Sequence, residues 1–275
     1  MEWADSSVFE KVKQRIGQGR WRRGMISALL ALSLWLVSTP VAWAQAPAGN
    51  QSFINRVASD VTEFTLDNGM KSTVLERHDA PVVSFMLYAN VGAASEEDGK
   101  TGVAHYLEHL AFKGTTKIGT RNYEAESKLL DELDVLFDEL TAAEQAGDAE
   151  RVTELRSQFE AVRLEAASYV EQNKFGQIIE QAGGRGLNAT TSADATRYFY
   201  SLPSNKLELW MSLESERFLD PVFREFYEEK EVILEERRMR VDNSPIGQMV
   251  ENFLEVSFDE HPYRRPVIGY EADLR

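Results

Sequence analysis

The sequence predicts an α+β protein, a mostly antiparallel sheet packed with helices, into which a helical hairpin is inserted. Three observations predict it. Alternating stretches flank Asp67-Asn68-Gly69, the pattern of two strands joined by a tight turn. A longer apolar run, Val82 to Val91, has the length of a buried strand. From Tyr123 to Tyr169 the texture changes to Glu, Leu and Ala without proline, with leucines at helical spacing.

Taken in order, the chain opens on a targeting signal. Arg20, Arg22 and Arg23 precede an apolar run from Met25 to Val37, then Pro40 and Ala42-Trp43-Ala44. A positive region, a short apolar region and a small-x-small site make a secretory signal peptide over residues 1–44, cleaved after Ala44. The apolar run is shorter than the ~20 residues of a spanning helix. Membrane attachment is therefore expected only through this segment, if it stays uncleaved. Residues 45–60 read as a leader, and residues 61–275 as one domain.

Strands are expected at Val61–Leu66, Lys71–Glu76 and Val82–Val91. The Gly-, Ser-, Glu- and Asp-rich stretch from Gly92 to Gly102 is a loop feeding a helix. Thr101 has the hydroxyl of an N-cap. Val103, Ala104, Leu107, Leu110 and Ala111 give an apolar face, and Lys113-Gly114 a stop. The insertion at about 123–170 follows. Leu129, Leu133, Leu136 and Leu140 mark one helix, and Ala146-Gly147-Asp148 is a break. Val152, Leu155, Phe159, Val162 and Ala166 mark a second helix, so the pair forms a hairpin with a packed seam and no assigned chemistry.

Gly183-Gly184-Arg185-Gly186 lacks both the Lys-Ser/Thr of a phosphate loop and the spacing of a dinucleotide site. Asn188–Thr191 and Ala195–Leu202 read as strands around Ser192-Ala193-Asp194. Lys206–Phe218 is an amphipathic helix ended by Asp220-Pro221. Glu225–Val241 is a charged helix and Ile246–Phe258 another. The chain stops at Arg275 without a closing element, and the domain is expected to be incomplete there.

Composition narrows the function. The 275 residues are 43% hydrophobic and 27% charged, enough for a packed core. Cysteine is absent, which excludes a disulfide scaffold, a thiolate metal site and a cysteine nucleophile. It also suits the periplasm or the exterior. The net charge is −15, and the first 44 residues are net basic, so the body is more acidic still. Such a body repels nucleic acid, and no nucleic-acid partner is expected.

The chemistry centres on His105-Tyr106-Leu107-Glu108-His109. Two of the chain's four histidines stand here, four residues apart. On a helix they share one face and can reach one metal ion, with the Glu108 carboxylate close by. By spacing alone, ordinary helix histidines fit as well. Catalytic zinc takes three protein ligands and a water. Glu229 and Glu236, two turns apart on the charged helix, share a face from which a third ligand can come.

The stretch His105 to Thr115 resembles the active-site helix of the pitrilysin/insulinase family of zinc peptidases, which includes the mitochondrial processing peptidases. Gly184, Asn188-Ala189-Thr190-Thr191-Ser192, Asp194, Thr196 and Tyr198 resemble that family's second signature. Glu229 to Glu236 is similar to its third. The resemblance covers about Val61 to the end. It implies one zinc ion held by His105, His109 and Glu236, with Glu108 as general base. It makes Glu229 a carboxylate supporting the ligands. Glu235 is the alternative ligand, because adjacent acids leave the alignment ambiguous by one. Asn188, Ala189 and Thr190 become an edge strand that takes peptide substrate in extended form.

The implied activity is that of a zinc-dependent metalloendopeptidase cutting peptides or unfolded segments. The alternative is a non-catalytic or partner-dependent peptide-binding subunit. Two departures stand out. His109 and Glu236 lie farther apart in sequence than is usual in the family, and the hairpin accounts for the excess. Family enzymes also pair two homologous halves. A second half is therefore expected, downstream in the same chain or as a separate one.

Overall fold

The computed structural model describes residue 55 and residues 57–275. The signal peptide and most of the leader lie outside the described residues. The chain divides into two compact units, one ending at His78 and one running from Asp79 to Arg275.

In the first unit, β1 (Val61–Thr65) pairs antiparallel with β2 (Lys71–Leu75), with Val61 opposite Leu75. Leu66 bonds Met70, and Asp67-Asn68-Gly69 forms the loop between them. Gly69 has φ +88°, and the Asn68 side chain accepts from the Met70 N–H. Glycine suits the left-handed position that closes a three-residue hairpin loop.

The second unit is built on a three-stranded antiparallel sheet. Its strands are β3 (Val82–Ala89), β4 (Arg185–Thr191) and β5 (Thr196–Pro203), in the order β3-β5-β4. Thr196, Tyr198, Tyr200 and Leu202 of β5 are all buried on one face. Tyr200 and Leu202 join Phe175, Ile179 and Leu213 in the main core, and Tyr198 packs with Ala111 and Ala189. The sequence predicts a buried β3, but the structure corrects this. Val83, Phe85 and Leu87 face the core while Met86 and Tyr88 are exposed. An antiparallel strand needs cover on only one face, so apolar residues on both sides do not guarantee burial of both.

Eight α-helices lie in the second unit. They are α1 (Val103–Leu110), α2 (Tyr123–Ala146), α3 (Ala149–Ala167), α4 (Lys174–Gln181), α5 (Leu207–Leu219), α6 (Phe226–Arg237), α7 (Pro245–Ser257) and α8 (Glu271–Leu274). Helices α2 and α3 form the hairpin foreseen from the leucine spacing. Asn122 caps α2 by accepting from the Ala125 N–H, and Asp148 caps α3 by accepting from the Arg151 N–H. Gly147 between them has φ +72°. Leu136, Ala143 and Leu155 bury the seam, flanked by Leu140, Val152, Phe159 and Val162.

Helix α4 was not foreseen. It has two turns, too few for periodicity to stand out, and Phe175 and Ile179 form it against the β5 face. A buried arginine also shapes the core. Arg217 lies among the rings of Phe112, Phe175, Tyr198 and Phe218, at 4.5–5.3 Å from their centroids. It pairs with Glu214, which also accepts from the Tyr200 hydroxyl at 2.9 Å. No helix among the described residues is long and apolar enough to cross a membrane.

Candidate metal centre

Helix α1 carries the histidines, and its start is fixed differently from the sequence expectation. Thr101 is not the N-cap. Its hydroxyl donates to Asp273 at 2.6 Å and accepts from the Tyr270 N–H. Gly102 takes the cap position with φ +90°. Glu96 supplies the missing acceptor, with its two carboxylate oxygens each 2.8 Å from the N–H groups of Gly102 and Ala104. A carboxylate there also complements the helix dipole. A side chain at Gly102 would meet the Ile268 carbonyl at 2.8 Å.

At the other end α1 stops at Leu110, with Ala111 as its C-cap, and Gly114 turns the chain with φ +104°. The segment that follows is strapped to the segment entering α6. Thr115 bridges Pro221, and the buried Arg224 donates to the carbonyls of Lys113, Thr115 and Ile118. Arg224 is paired with Glu126 of α2 at 2.9 Å, and both are fully buried. This knot fixes where α6 starts relative to where α1 ends.

The strap brings α6 alongside α1. The rings of His105 and His109 lie 4.8 Å apart. Glu236 Oε2 stands 3.7 Å from His105 Nε2 and 3.5 Å from His109 Nε2. Among the described residues these three form the one group of donors that could hold a metal ion, with all three ligand atoms within 4.8 Å of one another. Ligands at ~2.0–2.2 Å from a tetrahedral zinc are separated by about 3.4 Å. Two imidazole nitrogens and a carboxylate oxygen are the donor set zinc accepts. The residues therefore fit the ion in both spacing and chemistry.

The neighbours orient these donors. His109 Nδ1 is 3.0 Å from Glu229 Oε2, so an N–H there leaves the Nε2 lone pair facing Glu236 and His105. Glu229 in turn pairs with Lys113 at 2.5 Å, and Lys113 with Glu225 at 2.9 Å. Burial pushes the Glu229 carboxyl up, but its bonds to His109 and Lys113 outweigh this and hold it below the usual carboxylate range. The same bond from Glu229 raises His109. Burial, and then the neighbouring His109, push His105 down to about 4. Its Nδ1 is buried without a hydrogen-bond partner. Glu236 is steadied through its other oxygen by Arg240 at 2.7 Å.

Glu235 points elsewhere. It is exposed and paired with Arg238. Of the two adjacent acids, the structure brings Glu236 to the histidines, because one residue turns about 100° around a helix. Glu108 is half-buried on the β4 side and accepts a hydrogen bond from Thr191 Oγ1. Strand β4 is an edge of the described sheet, and Asn188 and Ala189 line a cavity of about 340 Å3 with Glu108, His109 and Phe112.

Three site residues were given no role from the sequence: Thr191, Lys113 and Tyr106. Thr191 belongs to the stretch that resembles the second signature, yet only the fold puts its hydroxyl on Glu108. Lys113 looked like a helix stop and is an ion-pair link. The Tyr106 hydroxyl donates to the Phe226 carbonyl, joining α1 to α6.

The chain belongs to the insulinase family of peptidases (peptidase family M16), whose sequence model matches residues 72–131 and 160–270. The unmatched residues between, 132–159, lie within the α2–α3 hairpin. The chain is 30% identical to the zinc protease PqqE of Helicobacter pylori over 254 residues, which are 91% of this chain and 43% of that protein. It is 29% identical to an uncharacterized zinc protease of Mycobacterium leprae over 77% of this chain and 36% of that protein. The crystal structure of a protease from Helicobacter pylori matches with a TM-score of 0.56 and 27% identity, covering 78% of this chain and 39% of that one. The chain thus spans less than half the length of these relatives.

Proposed function

We propose that the chain is the catalytic half of a zinc metalloendopeptidase that hydrolyses peptide bonds in peptides or unfolded segments. The observation that carries this reading is the meeting of His105, His109 and Glu236, whose ligand atoms all lie within 4.8 Å of one another. The zinc protease names of the relatives support it.

His105 Nε2, His109 Nε2 and one Glu236 oxygen would hold the ion, and Glu229 would keep His109 in the ligating tautomer. When bound, zinc polarises the scissile carbonyl and acidifies a water toward neutrality. Glu108 takes the proton of the attacking water and passes it to the leaving amine. Thr191 keeps the Glu108 carboxylate turned to the β4 side, where substrate lies. The peptide adds to β4 beside Asn188, Ala189 and Thr190 through backbone hydrogen bonds, which makes sequence preference loose.

Glu108→Gln is expected to abolish cleavage of an unfolded protein such as casein while retaining bound zinc. His105→Ala is expected to lose the metal, as read by metal analysis. A Glu108→Gln protein that cuts at the wild-type rate would remove Glu108 from the mechanism. An inactive wild-type chain that binds peptide, and gains activity only when a partner is added, would favour the partner-dependent subunit.

A second homologous half, downstream or in a separate chain, is proposed as the partner. The chain's share of its relatives' length supports this. So does α7, on which Ile246, Met249, Phe253 and Val256 are exposed along one face. Export to the periplasm or the medium is proposed, and the signal-like pattern of the first 44 residues supports it. The hairpin is proposed as an insertion, and the family model's omission of 132–159 supports it.

A further inference from the structure

We propose that the inserted hairpin is a positioning element for the metal centre, holding the first turn of α6 through Arg163 and Tyr227. The proposal rests on the zinc-binding reading above. Helix α6 supplies both Glu229 and Glu236, so its placement decides whether the centre forms. Its far end is held independently of the hairpin, where Arg237 forks to Glu251 at 2.8 and 2.9 Å and donates to the Gly269 carbonyl at 2.7 Å.

The near end, placed by the Arg224 knot and by the Lys113–Glu225 pair at 2.9 Å, is where the hairpin adds a hold of its own. It begins at Glu225 with φ +57°, a left-handed conformation that costs a glutamate about 1 kcal/mol or more. The hairpin contacts are made there. Arg163 Nη1 donates to Glu228 at 2.7 Å while its other edge forks to Glu160 at 2.6 and 2.8 Å. The guanidinium is thus aimed before it meets α6. The Tyr227 hydroxyl donates to Asp134 at 2.7 Å, and its ring sits 4.9 Å from Phe137 and 5.0 Å from Phe159.

These contacts continue into α1. The Phe226 ring lies 5.3 Å from Tyr227 and 4.8 Å from Tyr106, the residue after His105. A line of rings therefore runs from the hairpin through the start of α6 to the histidine helix. Behind it lies a cavity of about 370 Å3, bordered by Asp134, Arg163, Tyr227 and Glu228. Directed contacts at its rim, together with the buried Arg224–Glu126 pair, set the separation of hairpin and helix. Glu228 is next to Glu229, so a shift of this turn moves the carboxylate that orients His109. Loss of such an outer partner typically costs 10- to 100-fold in metal affinity.

The test measures zinc affinity of the full chain by competition with a chromogenic chelator, with denaturant unfolding run in parallel. The double variant Arg163→Met, Tyr227→Phe is expected to bind zinc about 10- to 100-fold more weakly. Arg156→Met, which breaks a pair with Glu144 within the hairpin, is expected to leave zinc affinity unchanged. Arg163→Glu is expected to weaken zinc binding, and adding Glu228→Arg to restore most of it. A merely structural role for the hairpin would not produce that rescue. A folded double variant with affinity within about two-fold of wild type overturns the proposal. If the double variant does not fold, the charge exchange decides, and a folded exchange variant without rescue overturns it. A wild-type chain that binds no zinc overturns the metal-centre reading itself, and the proposal with it.

Discussion

A single rotation around α6 separates Glu236, beside two imidazoles, from Glu235, exposed beside Arg238. Glu236→Gln is therefore expected to lower zinc affinity by at least about ten-fold, and Glu235→Gln to leave it nearly unchanged, by the same chelator competition. Arg224 and Glu126 are the sharpest stability test at this scale. Both are fully buried, and Arg224 also satisfies three carbonyls of the strap. Arg224→Met leaves Glu126 buried without its partner. The expected cost is about 3–5 kcal/mol, read as a lowered denaturation midpoint. Neither residue carries a local signal of this role. A buried arginine looks like a surface one in sequence, and only the packing around it tells them apart.

Elements written by local chemistry were the legible ones. The β1–β2 turn and the α2–α3 break follow from Asn68-Gly69 and Gly147-Asp148, each a local backbone preference. Gly147→Ala is expected to cost only about 1 kcal/mol in unfolding, because a Cβ there meets nothing within 4 Å and the penalty is that of the left-handed backbone. Gly92→Ala is the contrasting case. Its backbone is extended, but a Cβ would lie 2.3 Å from the Ser192 carbonyl, where β3 exits against the β4–β5 turn. That substitution is expected to lower the unfolding midpoint more than Gly147→Ala does. Helix α4, the exposed face of β3 and the Glu96 cap of α1 escaped sequence reading for one reason. Each is decided by what lies across from it in space.

For the molecule as a whole, metal removal is the direct probe. A chelator is expected to abolish proteolysis, and stoichiometric zinc to restore it, since the ion has no covalent attachment. Export can be read separately: N-terminal sequencing of the secreted protein is expected to begin at Gln45, and a protein beginning at Met1 would reject the cleavage.

The motifs carried the resemblance to the family, and residue spacing determined the hairpin and the two histidines on one helix face. Those properties are local, since a helix repeats every 3.6 residues wherever it is placed. Tertiary structure alone decided which of two adjacent glutamates meets the histidines, that Thr191 reaches Glu108, and that the hairpin touches α6. Each of these depends on two segments far apart in the chain being brought into contact, as at the 3.5 and 3.7 Å between Glu236 and the imidazoles. No local pattern encodes that distance. It is set by the Arg224 knot, the sheet register and the packed faces acting together.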